Sequence, residues 1–183
     1  MGKNKLDMEF FRKMQMNRNS NEDVMKEKLI KTASVLIQPH ESAREEFSRM
    51  SEKLAEMGNQ TMANRADLDK LVGKDNQKMA EDNNRNFARF MVSLFIDFNP
   101  KVLVETVFWV FRAYRSHGFQ TTYWAANLNI WVDMLHQELS KESFEAIYPF
   151  YQWLIVNIPI FSQISDEANF GLKEDNVPAH GGA

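Results

Sequence analysis

The sequence predicts an all-α protein, and three observations carry that reading. Apolar residues recur at three- and four-residue spacing over most of the chain, the pattern of helices with one buried face. No segment alternates apolar and polar residues convincingly enough for a strand. Helix punctuation is also explicit: "DFNPKV" offers Asn99 as a cap and Pro100 at the first helical position, and Gly118 follows as a left-handed stop.

The first periodic segment, residues 21–38, repeats Val24, Met25, Leu29, Ile30, Ala33, Leu36 and Ile37, with Ser20 or Asn21 as its cap and Pro39 as its end. Residues 42–57 form a charged helix with a narrow stripe of Phe47, Met50, Leu54 and Met57. Residues 60–82 have a weaker pattern that Gly73 interrupts. Residues 84–98 bring Phe87, Phe90, Met91, Leu94, Phe95 and Phe98 onto one broad buried face. The helix from Pro100 runs to His117. The next runs from a Thr121 or Thr122 cap to about Leu139. Ser140 caps the last, which Pro149 should kink or break and Pro159 should bend near its end.

Residues 1–20 read as an N-terminal extension, 21–164 as a single helical domain, and 165–183 as a disordered tail. Nearly all aromatics lie in 87–161, so the second half builds the core. The N-terminal helices then cover that core or pair with a partner.

Composition excludes several functions. With 44% hydrophobic and 12% aromatic residues, the chain can bury a substantial core. A formal charge of -3 argues against general nucleic-acid binding, which needs a basic surface. With no Cys there are no disulfides, thiolate metal sites, thiol nucleophiles or thioether-linked bilins. The N-terminus lacks the apolar run of a signal peptide, and no window is apolar enough for a membrane span. A cytoplasmic protein is the expectation. No phosphate loop, nucleophile elbow or paired metal carboxylates occur, so an enzyme is not expected. No metal site is expected either, since no HxxxH or ExxH pair is present.

The polar residues within the aromatic stretch 107–131 invite closer reading. Arg115 continues the stripe of Val104, Val107, Phe108 and Phe111, and a guanidinium in line with a buried face must be paired. It either bonds helix-end carbonyls or a carboxylate such as Glu138 or Asp133, or it receives an anionic ligand. His117 sits at a helix C-terminus, where the dipole favours an imidazolium; as a haem ligand it is the alternative. On the helix 121–139, Trp124, Leu128, Trp131 and Leu135 form one stripe and Tyr123, Ile130 and Met134 a second, with Asn127 between. An apolar arc this wide meets two surfaces, the second being another helix of the domain or a dimer partner.

Residues 87–159, through the phrases "YRSHGF", "YW", "LNIW" and "IYPFYQWL", resemble the helical, globin-like sensor domains of bacterial regulators, among them cobalamin-binding regulators. The resemblance implies a globin-like helical bundle, here with additional N-terminal helices. It implies a haem-free, usually dimeric domain that senses a ligand or relays a signal, in some members through an apolar pocket for a fatty acid. Phycobiliproteins share this plan, but bilin attachment needs a Cys that the chain lacks. No effector, cobalamin-binding or kinase domain follows residue 160, which suggests a stand-alone subunit that binds a partner of a signalling pathway. The expected function is therefore a non-enzymatic sensory or regulatory protein, as a homodimer and without a cofactor. Its pocket would be lined by Phe108, Phe111, Trp124, Trp131 and Tyr151, with Arg115 near the mouth and a fatty-acid-like ligand inside. The alternatives are a haem globin ligated by His117 and a ligand-free helical interaction module.

Overall fold

A computed structural model describes the backbone of residues 21–174 and the side chains of 21–166. All regular structure among the described residues is helical: α1 (21–33), α2 (Glu41–Ala63), α3 (Leu68–Val72), α4 (Gln77–Ile96), α5 (Pro100–Ser116), α6 (Thr121–Glu138) and α7 (Lys141–Glu174). The predicted extension 1–20, with the Ser20 cap, lies outside the described residues, as do residues 175–183.

Helices α6 and α7 form the centre. Helix α2 packs on α4, α6 and α7, while α5 packs on α7. Both stripes of α6 are buried, and α2 and α7 cover them within the chain. The second surface met by that wide arc is thus another helix of the same domain. Gly58 lets α2 approach closely: a Cβ there would lie 3.2 Å from the Met134 methyl and 3.7 Å from the Asn84 amide.

Between the helices runs a short chain of buried polar groups. The Asn84 amide on α4 donates to Asn59 Oδ1 on α2 at 2.9 Å, and Asn84 Oδ1 accepts from the Trp131 indole on α6 at 3.1 Å. Helix α1 joins through Leu29 and Ala33, both buried, and through Thr32 Oγ1, which accepts from Trp153 Nε1 at 3.1 Å.

Several boundaries differ from the sequence reading, each for a physical reason. Helix α1 ends at residue 33, and a turn over 34–35 followed by irregular backbone leads to Pro39. The second helix runs to Ala63, and the weak segment 60–82 separates into the end of α2, α3 and the start of α4 around Gly73 (φ +83°). Thr121 and Thr122 lie inside α6; its N-cap is Gln120, whose side chain makes no capping bond to the helix but donates to Gly118 O, while its backbone N–H donates to Leu71 O.

Helix α7 continues unbroken through Pro149 and Pro159. Both prolines are exposed. Each removes one backbone bond on the solvent side, where water solvates the freed carbonyl, so burial of the opposite face outweighs the loss. The helix also overruns the expected tail from residue 165: Ile164 and Ser165 are buried, and the helical backbone reaches Glu174.

Asn99 caps α5 through Oδ1, which accepts from the Lys101 and Val102 amides at 2.9 and 3.3 Å, with Pro100 at the first helical position. Ser140 caps α7, its Oγ accepting from Ser143 N at 3.3 Å. Glu46 of α2 reaches the same end: Oε1 accepts from Ser140 N at 2.9 Å and Oε2 from Ser140 Oγ at 2.7 Å. The Ser140 hydroxyl chiefly, then Ser143, the Ser140 amide and Arg49, hold the Glu46 carboxyl below its ordinary range, against a smaller opposing effect of burial.

Because this carboxyl titrates lower in the folded state, its stabilisation is complete above the usual glutamate range and is lost as pH falls through the folded value. Glu46→Gln is expected to lower stability at neutral pH and to match wild type in acid. Ser140→Ala should cost about 1 kcal/mol. Urea midpoints at neutral pH and near pH ~3 check both, and a Glu46→Gln deficit that persists unchanged in acid contradicts the linkage.

Candidate functional site: an apolar cavity between α4 and α5

The space between α4 and α5 forms a cavity of about 280 Å³, walled by Asn83, Asn86, Phe87 and Phe90 of α4. Helix α5 supplies Thr106, Val107, Trp109, Val110, Phe111 and Tyr114; Trp124, Asn127 and Leu128 of α6 and Leu154 of α7 complete it. Helical spacing explains the α5 set. Val107, Phe111 and Tyr114 recur at four and three residues, so one face lines the cavity over two turns. The Trp109 side chain stands at the rim, 66% exposed.

Stacked rings stiffen the wall. Phe111 lies on Trp124 with centroids 4.3 Å apart and an interplanar angle of 19°. Tyr114 meets Trp124 edge-on at 5.8 Å, and Phe87 meets Trp131 and Tyr151 edge-on at 5.4 and 5.7 Å.

Polarity in this wall is sparse and uncharged. None of the lining residues is Lys, Arg, His, Asp or Glu. Burial, with a smaller effect of Asp82, raises the Tyr114 phenol above its ordinary range, so it too stays neutral at physiological pH. Asn83 donates to Tyr123 Oη at 3.1 Å. Two buried atoms of the wall side chains have no hydrogen-bond partner: the Trp124 indole Nε1 and Asn127 Oδ1. They sit three residues apart on α6, hence on one face of it.

The expected pocket residues divide into three groups. Phe111 and Trp124 line the cavity. Trp131 and Tyr151 are fully buried one ring layer behind it, in contact with the Phe87 ring rather than with the open space. Phe108 faces α1, where Lys26 Nζ stands 4.0 Å above its ring.

Arg115 is not at the mouth. Its Nε and Nη2 pair with Asp166 of α7 at 2.7 and 2.6 Å, and its Nη1 donates to Phe119 O at 3.1 Å. A guanidinium held at both edges in this way ties α5 to α7. Neither Glu138 nor Asp133 is its partner; Glu138 pairs with Lys53 instead. His117 is exposed at the end of α5, its Nδ1 at 2.8 Å from Ala113 O, and its carbonyl accepts from the Asn76 amide at 2.7 Å. That carbonyl bond docks the α5–α6 corner onto the segment after α3. His117 is not among the residues of the cavity wall.

Sequence reasoning missed Phe87, Phe90, Val110 and Leu128 as lining residues, and the unpartnered pair on α6. A small signal existed in Asn127, an amide placed between two apolar stripes.

Tyr151 carries a separate consequence. Its hydroxyl is buried without a partner. Burial therefore pushes this phenol well above its ordinary range. Tyr151→Phe removes an unsatisfied polar group and keeps the ring, so it is expected to stabilise the fold by about 1 kcal/mol. A lower thermal midpoint for this variant would show that the hydroxyl has a partner in solution.

Among the described residues no group of His, Cys, Asp and Glu is placed to hold a metal ion, and no helix is long and apolar enough to cross a membrane. Fold and site together define, among the described residues, an all-helical domain with an uncharged, mostly apolar cavity between α4 and α5. Comparison of the chain with models of protein families, with curated proteins and with solved structures gave no match.

Proposed function

We propose that the protein is a non-enzymatic, ligand-responsive regulator, in which a globin-like helical domain takes a small apolar molecule between α4 and α5. Occupancy is relayed to a protein partner or a second copy of the chain in the cytoplasm. The cavity is the observation that supports this reading. It is nearly twice the size of the ~150 Å³ apolar cavity that accepts benzene in an engineered protein. Among the described residues its wall carries the Thr106 hydroxyl and the Tyr114 phenol but no carboxylate, imidazole or amine to activate either of them. Trp109 lines the rim of the cavity and is also part of the exposed surface of α5, and it is the residue through which occupancy would reach that surface.

Native mass spectrometry of the full chain, with an absorption spectrum from the same sample, tests the proposal. The expected result is small-molecule mass retained by the wild type, or acquired on incubation with apolar compounds, with no Soret band. Val110→Trp, which places an indole in the cavity wall and fills part of the space, should abolish it. A haem-sized mass with a Soret band lost in His117→Ala replaces this reading with a haem globin. Bare polypeptide mass under every condition replaces it with a helical interaction module.

A further inference from the structure

We infer that the cavity between α4 and α5 is a docking site for the chain's own residues 6–16, and that a small apolar ligand acts by displacing them. This rests on the cavity being a ligand site and adds what a partner would meet: the released segment, with Phe10 and Phe11.

The path of the chain decides first. Helix α1 runs antiparallel to α5. Gln38, past the end of α1, donates to Ile96 O and accepts from Phe98 N, just before α5 begins. Lys26, in the second turn of α1, pairs with Glu105 at 3.5 Å and stands 4.0 Å above the Phe108 ring, halfway along α5. Asn21 lies five residues further back, about 7.5 Å along the helix axis. It therefore sits towards the C-terminal half of α5, where Trp109, Val110 and Tyr114 line the cavity. Trp109 adjoins Phe108 and is exposed at the rim, so the route from α1 to the mouth crosses it. The link from Met16 to Asn21 spans about 17 Å when extended, which is ample for that crossing.

Composition decides second. Residues 6–16, "LDMEFFRKMQM", hold six apolar side chains among eleven, with Leu6, Phe10 and Met14 at four-residue spacing. Nothing charged lines the cavity, so apolar side chains suit its interior, and Glu9, Arg12 and Lys13 stay at the mouth. The volume of about 280 Å³ takes one Phe ring and a Leu or Met neighbour, on the scale of benzene in a ~150 Å³ cavity. Unbranched Met side chains fill the irregular remainder. Charge favours the same contact. Residues 1–20 carry a formal +3 and the rest of the chain -6. Tethering then favours this segment over one from a second copy, because it holds the segment at about millimolar effective concentration.

Paramagnetic broadening in the full chain tests this. The chain has no cysteine, so Lys13→Cys gives one attachment point for a nitroxide. The signal read is the Trp109 indole N–H, assigned by its loss in Trp109→Phe. The nitroxide should broaden it. Adding Phe10→Ser/Phe11→Ser to the labelled chain should restore it, and so should butylbenzene. By calorimetric titration, butylbenzene should bind about tenfold more tightly to Phe10→Ser/Phe11→Ser than to wild type. A segment with a Kd of about 0.1 mM, held at about 1 mM, leaves the cavity open in about one chain in eleven. Broadening that the two serines leave unchanged, with equal affinities, overturns the docking and leaves the ligand site standing. Broadening found only between a nitroxide-labelled chain and a second, isotope-labelled chain overturns the intrachain assignment in favour of a second copy. Broadening relieved by the serines, with butylbenzene bound by neither protein, upholds the docking and overturns the ligand-binding function. Absence of both broadening and binding overturns the two together.

Discussion

Replacing Asn84 with alanine is expected to lower the unfolding free energy by about 3–4 kcal/mol, an effect large for a polar residue. Asn84 is fully buried where α2, α4 and α6 meet. Its removal strands Asn59 Oδ1 and the Trp131 indole together. Each unsatisfied buried group costs about 1–3 kcal/mol, and a small void adds to the loss. A double-mutant cycle sharpens the expectation. Trp131→Phe in the Asn84→Ala background should cost about 1 kcal/mol less than in wild type, because the indole has already lost its partner. Urea unfolding of the four proteins measures it, and strictly additive costs would mean that the two side chains do not interact in solution.

Phe111→Ala is expected to cost about 3–5 kcal/mol, through lost burial and an enlarged void. The ring is shared between the core, where it meets Phe161 at 5.3 Å, and the cavity wall, where it stacks on Trp124. The variant therefore joins stability to binding. A bulky hydrocarbon should raise the thermal midpoint of Phe111→Ala more than that of wild type, since mass action stabilises the state with the larger apolar site. Equal shifts, or none in the variant, would place the bound molecule elsewhere.

Much of the architecture was legible in the sequence because periodicity reports which face of a helix is buried. The Asn99–Pro100 start, the Gly118 stop and the double stripe of α6 all appear where their chemistry put them. Periodicity does not report what covers a buried face. Trp131 lies on its expected stripe, yet it and the expected pocket residue Tyr151 meet Phe87 rather than open space. A cavity is the space two helices leave between them, and it depends on how α4 and α5 diverge, which no local pattern encodes. The partner of Arg115 was hidden by distance: Asp166 is fifty-one positions away, in a segment whose composition reads as tail. The prolines misled for the opposite reason. Their cost is local and visible, whereas the burial that outweighs it is spread along α7 from Ser143 to Ser165.

The position of α7 also governs how the protein is made. α2, α5 and α6 all pack on it, Thr32 bonds to its Trp153, and Glu46 holds its first turn. During synthesis each of those helices leaves the ribosome before α7 does. Until residues 141–166 emerge, the buried faces of Phe47, Trp124 and Trp131 have no lid, and the nascent chain must wait with its aromatic interior open to water. Translation of the region from 121 to 166 is therefore the interval in which that interior is open to chaperone capture or aggregation.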